Sequence, residues 1–273
     1  MDEVIRAVVS SSALAAYSYR KRSLDLSGAV AAFVVGALIL WSGQRFGLAL
    51  LAFFASSSKL TKVGAKQKKR IEEDYASAQC RNAWQVLANS YGAAVCSLIY
   101  KLTVPEEVPL SSEYAWSTQL QCAFVAFFAC CAGDTWSSEL GVLSSETPRL
   151  ITAPWRKVPA GTNGGVTLAG LLAAALAGLF VSMSFALCNI DLYLSATWLL
   201  LGVCAGLGGS LLDSVLGATL EFSGWDEDTK MVTTKKGTQL LAGRRVLTGG
   251  QVNALSATIM SLLAFAVAPR VFN

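Results

Sequence analysis

The stretch that decides the fold is AFVAFFACCAGDTWSSELG, residues 123–141, in which an unbroken apolar run passes directly into two acids and a cluster of hydroxyls. A charged side chain at the centre of a bilayer costs roughly 2.5–3.5 kcal/mol on insertion scales. Asp134 and Glu139 therefore indicate a binding partner or a function at the end of a membrane span. A further acid, Asp213, lies inside another apolar run. These three acids are the first candidates for chemistry in the chain.

Composition places the chain in the membrane class. Of its 273 residues, 53% are hydrophobic and 15% are charged, and the apolar residues come in long blocks separated by charged loops. In a typical soluble domain, about 25% of the residues are charged. We therefore predict an all-α fold, a polytopic helical membrane protein that forms a single integral membrane domain over residues 1–273. The lipid bilayer is an expected partner and nucleic acid is not, while the oligomeric state is left open.

The apolar blocks predict about eight transmembrane helices, at 4–19, 26–41, 44–57, 84–100, 117–132, 163–187, 193–217 and 251–268. The third is the weakest, and the count falls to seven if 44–57 is re-entrant. The charges favour eight, because eight spans place 18 of the 22 Lys and Arg residues in four loops on one side. By the positive-inside rule these loops lie in the cytosol. They are 20–25, 58–83, 133–162 and 218–250.

Several reaction types are excluded by residues that the chain lacks. It contains no histidine, which removes the commonest general base and the commonest metal ligand. Ser-His-Asp catalysis, Cys-His catalysis and histidine-bound zinc are therefore excluded. The chain also has no GxxxxGK[ST] sequence, so it is not a P-loop nucleotidase.

Polar residues from six of the predicted spans fall at the predicted cytosolic end. Besides the three acids they are Lys59, Lys62, Arg81, Asn89, Asn253 and a glycine-rich turn with Gly161, Asn163, Gly164 and Gly165. Carboxylate oxygens are ligands that Mg²⁺ prefers, while cations and backbone N–H groups ahead of a helix stabilise phosphate charge. Plainer roles stay open: Asp134 also fits a helix N-cap, Asp213 a partner for a hydroxyl or lysine, and the glycines an ordinary turn.

The same motifs resemble those of the transmembrane protein 19 family, which includes the phytyl-phosphate kinase of plastids and a glucose-responsive regulator of the plant plasma membrane. The resemblance is carried by residues 57–62, 85–89, 133–141, 161–167 and 209–219, with Asn253 and Ser256. One position departs from the pattern, since this chain has Glu221 where such proteins carry Gln.

The resemblance implies a membrane-embedded kinase that transfers a phosphoryl group from a nucleoside triphosphate, CTP or ATP, to a polyprenyl monophosphate. It implies that Asp134, Glu139 and Asp213 are catalytic and hold Mg²⁺. The phosphates would be bound by Lys59, Lys62, Arg81 and the turn that contains Gly161, Gly164 and Gly165. Oxygen atoms would be oriented by Asn89, Asn163 and Asn253.

Two other functions remain open. A non-enzymatic regulatory membrane protein would use the basic loops to bind a partner or anionic lipid. A transporter is less favoured, because mid-span positions such as 173–178 are apolar. For the location we expect the endomembrane system or the plasma membrane rather than the plastid, since no transit segment precedes the first span.

Overall fold

A computed structural model describes residues 1–71, 73 and 80–272 of the chain. The described residues form eleven helices: α1 Asp2–Arg20, α2 Leu26–Ser42, α3 Gln44–Lys62, α4 Ala65–Lys68, α5 Ala83–Ala88, α6 Tyr91–Thr103, α7 Ala115–Gly141, α8 Leu168–Ala186, α9 Ile190–Tyr193, α10 Ala196–Leu220 and α11 Gly249–Val271. The prediction of a helical membrane protein is confirmed.

Seven of the eight predicted spans each overlap one long helix, although these helices differ in length and polarity. Within the described residues, four are long and apolar enough to cross a membrane: α7, α8, α10 and α11. Helix α2 is apolar but has 17 residues. The predicted span 84–100 is divided into α5 and α6 by a turn at Asn89 and Ser90. The doubtful segment 44–57 lies within one continuous helix, α3. Eight crossings therefore remain a prediction.

Helix α7 is the centre of the structure. Residues 120–133 of this helix are all buried, and Phe124 and Phe128 pack edge to face with ring centroids 5.2 Å apart. At Gly133 the helix meets α10 so closely that an added Cβ atom would lie 2.9 Å from the Cα of Gly206. Small residues of this kind let membrane helices approach each other. This contact brings the following residue, Asp134, next to α10.

Helix α7 also continues through residues that the sequence placed in a loop. We predicted a loop over 133–162, but residues 133–141 are helical, and Asp134 is inside the helix rather than at an N-cap. The polar side chains bond back to the helix: Thr135 Oγ1 donates to the Cys131 carbonyl at 2.9 Å, and Ser137 Oγ to the Asp134 carbonyl at 2.9 Å. Because these hydroxyls are satisfied locally, the helix can extend beyond its apolar part.

Two small antiparallel sheets follow, which the sequence did not predict. In the described part of the chain, one has the order β2-β1-β3 and the other the order β5-β4-β6. Their strands are β1 Arg149–Leu150, β2 Ala153–Lys157, β3 Gly165–Val166, β4 Ser223–Asp226, β5 Met231–Thr233 and β6 Gln239–Ala242. The predicted loops 133–162 and 218–250 are therefore partly ordered sheet structure.

The described residues of all four predicted loops lie at one end of the helices. Leu24 pairs with Arg81 in a short parallel bridge, which joins the first loop to the second. Val232 N–H donates to the Ile71 carbonyl at 2.9 Å, which joins the second to the fourth. Asn163 N–H donates to Ser223 Oγ at 3.0 Å, between the glycine-rich turn and the fourth loop. The polar motifs therefore share one end, and its cytosolic location stays a prediction.

Candidate functional site

The centre of the site is a pair of acids from two helices. Asp134 of α7 and Asp213 of α10 lie within hydrogen-bonding reach of each other. Ser256 of α11 donates a hydrogen bond to Asp213 Oδ2 at 2.8 Å. Two carboxylates this close repel each other unless they share a proton or a cation. The fold has therefore assembled a place that favours positive charge between three membrane helices.

The acid pair lines a cavity of about 260 Å³. Ser137 and Ser210 face the same space and bond to each other at 2.8 Å. The structure thus brings together six of the residues predicted from the sequence: Asp134, Gly161, Asn163, Gly164, Gly165 and Asp213. Carboxylates, hydroxyls and main chain from four segments meet in this cavity, which is a polar setting at the end of apolar helices.

The glycine-rich turn forms one wall of the cavity. Gly164 has a φ of 76°, in the left-handed region, and an added Cβ atom would lie 2.7 Å from the Ser214 carbonyl oxygen. Glycine is therefore required for the turn to approach α10. Two of the N–H groups that we predicted for phosphate are already bonded: Asn163 N–H to Ser223 Oγ, and Gly165 N–H to the Thr162 carbonyl at 2.9 Å.

Glu139 is not beside the other two acids. Five residues separate it from Asp134, which on a regular helix rotates the side chains about 140° apart. It forms an ion pair with Lys68, which is 2% exposed and also donates to the Leu60 carbonyl at 3.0 Å. Among the residues that the structure describes, no group of three or more acids or cysteines is arranged to hold a metal ion. The structure therefore brings Asp134 and Asp213 to one cavity, and a metal-binding role for Glu139 stays a prediction.

Glu221 is a further site residue, at the position where this chain departs from the family pattern. It lines the cavity and lies near the Asn163 side chain, the Gly249 backbone and Asp134. Burial, together with the negative charge of Asp134, raises the pKa of Glu221 to about 7. The sequence contains one sign of this role. Glu221 directly follows the last residue of α10, and Asp213 lies two turns earlier on that helix.

The remaining predicted residues lie elsewhere at the same end. Lys59 is exposed in the last turn of α3, and Lys62 donates to Ser23 Oγ at 3.1 Å. Arg81 and Asn89 line a separate, apolar cleft. Asn253 lies one turn before Ser256 on α11. Of the described residues that form the cavity wall, none belongs to this group, so the predicted phosphate-binding set does not share one cavity.

Partly buried acids at one end of a bundle of apolar helices define an integral membrane protein with a polar site near the membrane surface. Over residues 9–261 the chain matches the family described as "Integral membrane protein DUF92", and it belongs to that family. This confirms the family relationship predicted from the motifs. No solved structure matches the chain.

Three relatives show the extent of the similarity. The chain is 43% identical to Protein PGR of Arabidopsis thaliana over 272 residues, which cover 95% of this chain and 94% of the relative. It is 32% identical to an uncharacterized membrane protein of Methanocaldococcus jannaschii, over 82% of this chain and 87% of the relative. It is 30% identical to Protein VTE6, chloroplastic, of Arabidopsis thaliana, over 72% of this chain and 56% of the relative.

Proposed function

We propose that this protein is a membrane-embedded kinase that transfers a phosphoryl group from a nucleoside triphosphate, CTP or ATP, to a polyprenyl monophosphate. The observation that carries the proposal is the acid pair Asp134 and Asp213, which lies in a polar cavity where apolar helices end. A prenyl chain dissolves in the bilayer and its phosphate remains at the surface. The substrate class therefore suits the place where the polar residues gather.

The donor atoms of the cavity fit Mg²⁺. This ion is usually held by one or two carboxylates together with the phosphates of a substrate, so a pair of acids is sufficient. Asp134 and Asp213 would hold the ion, and the hydroxyls of Ser137 and Ser210 lie in the same cavity. When bound, Mg²⁺ supplies positive charge that offsets the charge of the phosphates.

The other residues of the cavity would bind the substrates and orient the metal ligands. Ser256 holds one oxygen of Asp213 by its hydrogen bond, which fixes the carboxylate for a ligand. The volume of about 260 Å³ lies near the lower end of small-molecule sites, which are roughly 300–1,000 Å³. The cavity therefore suits the phosphates of the donor, while the base and sugar of the nucleotide would extend towards the sheets.

The transfer itself demands little of the protein. An oxygen of the prenyl monophosphate forms a bond to the γ-phosphorus as the bond from that phosphorus to the bridging oxygen breaks. The products are a prenyl diphosphate and a nucleoside diphosphate. Because the attacking oxygen is already anionic, no strong general base is needed, which agrees with a chain that contains no histidine. Positioning and charge stabilisation are then the main contributions of the protein.

A regulatory role without catalysis is the second candidate. It is favoured by the partners that the acids have within the protein, since Glu139 pairs with Lys68 and Asp213 accepts from Ser256. In that role the acids would stabilise the helix bundle and would bind no substrate. Transport is less favoured, because the centre of α7 around Phe124 and Phe128 is fully buried in apolar packing.

Turnover by the purified protein tests the proposal. The protein in detergent is supplied with Mg²⁺, each nucleoside triphosphate in turn, and farnesyl, geranylgeranyl or phytyl monophosphate. We expect a prenyl diphosphate with at least one nucleotide. If no combination gives diphosphate, while the protein remains folded and binds lipid, the regulatory function is supported in its place.

A further inference from the structure

An apolar cleft lies between the first helices of the chain, apart from the acid cavity. Its walls come from α1, α2, α3 and α5, and its volume of about 70 Å³ makes it a narrow cleft that is open to the surroundings. The serines in its wall bond to main chain: Ser11 Oγ donates to the Phe33 carbonyl at 2.7 Å and Ser18 Oγ to the Leu14 carbonyl at 2.8 Å. The wall is therefore apolar in character and suits a hydrocarbon chain.

A cluster of cations lies at one end of this cleft. Four basic residues line a cavity of about 140 Å³ together with Ser23, Ser58 and Thr61. We name them the cationic cluster, and they are Lys21, Arg22, Lys62 and Arg81. Among the described residues of this wall there is no acid. Because like charges repel, a cluster of this kind favours an anion in its midst.

Arg81 belongs to both the cleft and the cationic cluster. Its backbone is fixed, since its N–H donates to the Ser23 carbonyl and its carbonyl accepts from the Asp25 N–H, each at 3.1 Å. Within the described part of the chain, no group accepts a hydrogen bond from its guanidinium. Glu139 is the acid that acts on Arg81 electrostatically, and it is already paired with Lys68. The guanidinium is thus a partly buried cation to which, among the described residues, no acid is bonded directly.

A second feature of the cationic cluster is its backbone. Arg22 has a φ of 53°, in the left-handed region that is uncommon for residues other than glycine. The conformation is held by hydrogen bonds on both sides, from Arg22 N–H to the Tyr19 carbonyl and from Ser23 N–H to the Ser18 carbonyl, both at 3.0 Å. The chain therefore holds Lys21 and Arg22 in a fixed turn at the mouth of the cleft.

We propose that the cleft and the cationic cluster together bind the prenyl monophosphate, with its chain along the apolar wall and its phosphate among Lys21, Arg22, Lys62 and Arg81. The choice of a prenyl monophosphate among anionic lipids rests on the proposed function. Charge complementarity supports it as well, because a monophosphate carries up to two negative charges and a diester phospholipid headgroup phosphate carries one. The acid cavity then holds the nucleotide, and Arg81, which lines both the cleft and the cationic cluster, lies near Glu139 of α7.

Binding without nucleotide tests this assignment. Labelled geranylgeranyl monophosphate is titrated against the full chain in phosphatidylcholine nanodiscs. Arg81→Gln removes the shared cation, and Ala32→Trp fills the cleft; we expect each to weaken binding at least about tenfold. The matched controls are Arg156→Gln on an exposed strand and Ala55→Trp on the exposed face of α3, which should bind as the wild type does. Arg81→Lys keeps the charge and should recover part of the affinity.

Competitors distinguish the ligand chemistry. Inorganic phosphate has only the charged group of the ligand, and geranylgeraniol has only its hydrocarbon chain. Each should therefore displace the labelled lipid weakly. Phosphatidic acid has two chains and should also compete weakly. The assignment is overturned if Arg81→Gln and Ala32→Trp bind like the wild type, or if phosphatidic acid competes as well as the prenyl monophosphate does.

A further variant separates this assignment from the proposed function. Asp134→Asn should bind the lipid normally and form no diphosphate. If the wild type binds lipid in the predicted way but yields no product, the cleft assignment stands and the kinase function fails. If product forms and the KM for lipid is unchanged in Arg81→Gln and Ala32→Trp, the kinase function stands and the cleft assignment fails.

Discussion

Asp134 and Asp213 lie within hydrogen-bonding distance of each other, although they belong to different membrane helices. The close approach of α7 and α10 at Gly133 and Gly206 makes this possible, since glycine at both positions lets the two backbones touch. The acid pair is therefore a product of helix packing, and its chemistry depends on contacts that are themselves apolar.

Ser256→Ala should weaken the site without unfolding the protein. The substitution removes the hydroxyl that holds Asp213 Oδ2 at 2.8 Å, and loss of such a supporting contact typically costs about 10–100-fold in metal affinity or activity. The Mg²⁺ concentration that gives half-maximal turnover should rise. Ser261→Ala on the same helix is the control, because that hydroxyl donates to the Ala123 carbonyl, away from the cavity. Equal effects of the two substitutions would contradict the role of Ser256.

Gly133→Ala should separate α7 from α10. The added methyl carbon would lie closer to the Gly206 backbone than van der Waals contact allows. Overpacking of this kind typically costs about 1–3 kcal/mol. We expect a lower midpoint of thermal unfolding. Turnover should also fall, by more than the loss of folded protein alone explains. Gly208→Ala is the matched control, since its nearest neighbour is the end of the flexible Met260 side chain at 3.5 Å. Tolerance of alanine at Gly133 would show that the contact is looser than described.

Glu139→Gln tests whether this acid pairs with Lys68 or binds a metal. Removing one partner of a buried ion pair leaves the other charge uncompensated, at a cost of about 3–5 kcal/mol. The single variant should therefore unfold at a lower temperature. Adding Lys68→Met should restore much of the stability, because no charge is then left buried. Full stability with abolished turnover in Glu139→Gln would return this residue to the metal-binding role that the sequence predicted.

Stability should depend on pH through Glu221. An unfolded chain releases this proton near the ordinary value of 4.5, whereas burial and the charge of Asp134 raise the pKa of folded Glu221 to about 7. The folded protein binds the extra proton between these values, so its stability falls as the pH rises from about 4.5 to about 7. Glu221→Gln should show a shallower fall of the unfolding midpoint across this window. The exposed control Glu106→Gln should follow the wild type, and identical curves for all three would contradict the raised pKa.

Much of the fold followed from hydropathy and charge asymmetry, which respond to the bilayer and need no knowledge of tertiary contacts. The common end of the acids and the glycine-rich turn was predicted in this way. The position of Glu139 was not, because it depends on Lys68 in the short helix α4, which has no hydrophobic period. The strands were missed as well, since segments of two to five residues carry too little alternation to be recognised.

Glu221 shows a different limit of the sequence. Its role arises because the chain turns after α10 and returns through Gly249 and Asn163, so three distant segments meet around one carboxyl group. The residues next to Glu221 in the sequence do not predict this contact between distant segments. The separation of Arg81 and Asn89, which line the cleft, from the glycine-rich turn, which lines the cavity, likewise depends on tertiary packing.

The most direct test of the central claim is the initial rate of prenyl diphosphate formation as Mg²⁺ is varied, for the wild type and for Asp134→Asn. The control is Asp228→Asn, which neutralises an exposed acid in the turn between β4 and β5. We predict a rate that saturates with Mg²⁺ in the wild type and the control, and a loss of about a hundred- to a thousandfold in Asp134→Asn, on the scale of removing a catalytic electrostatic group. Turnover in Asp134→Asn equal to that of the wild type would contradict the account.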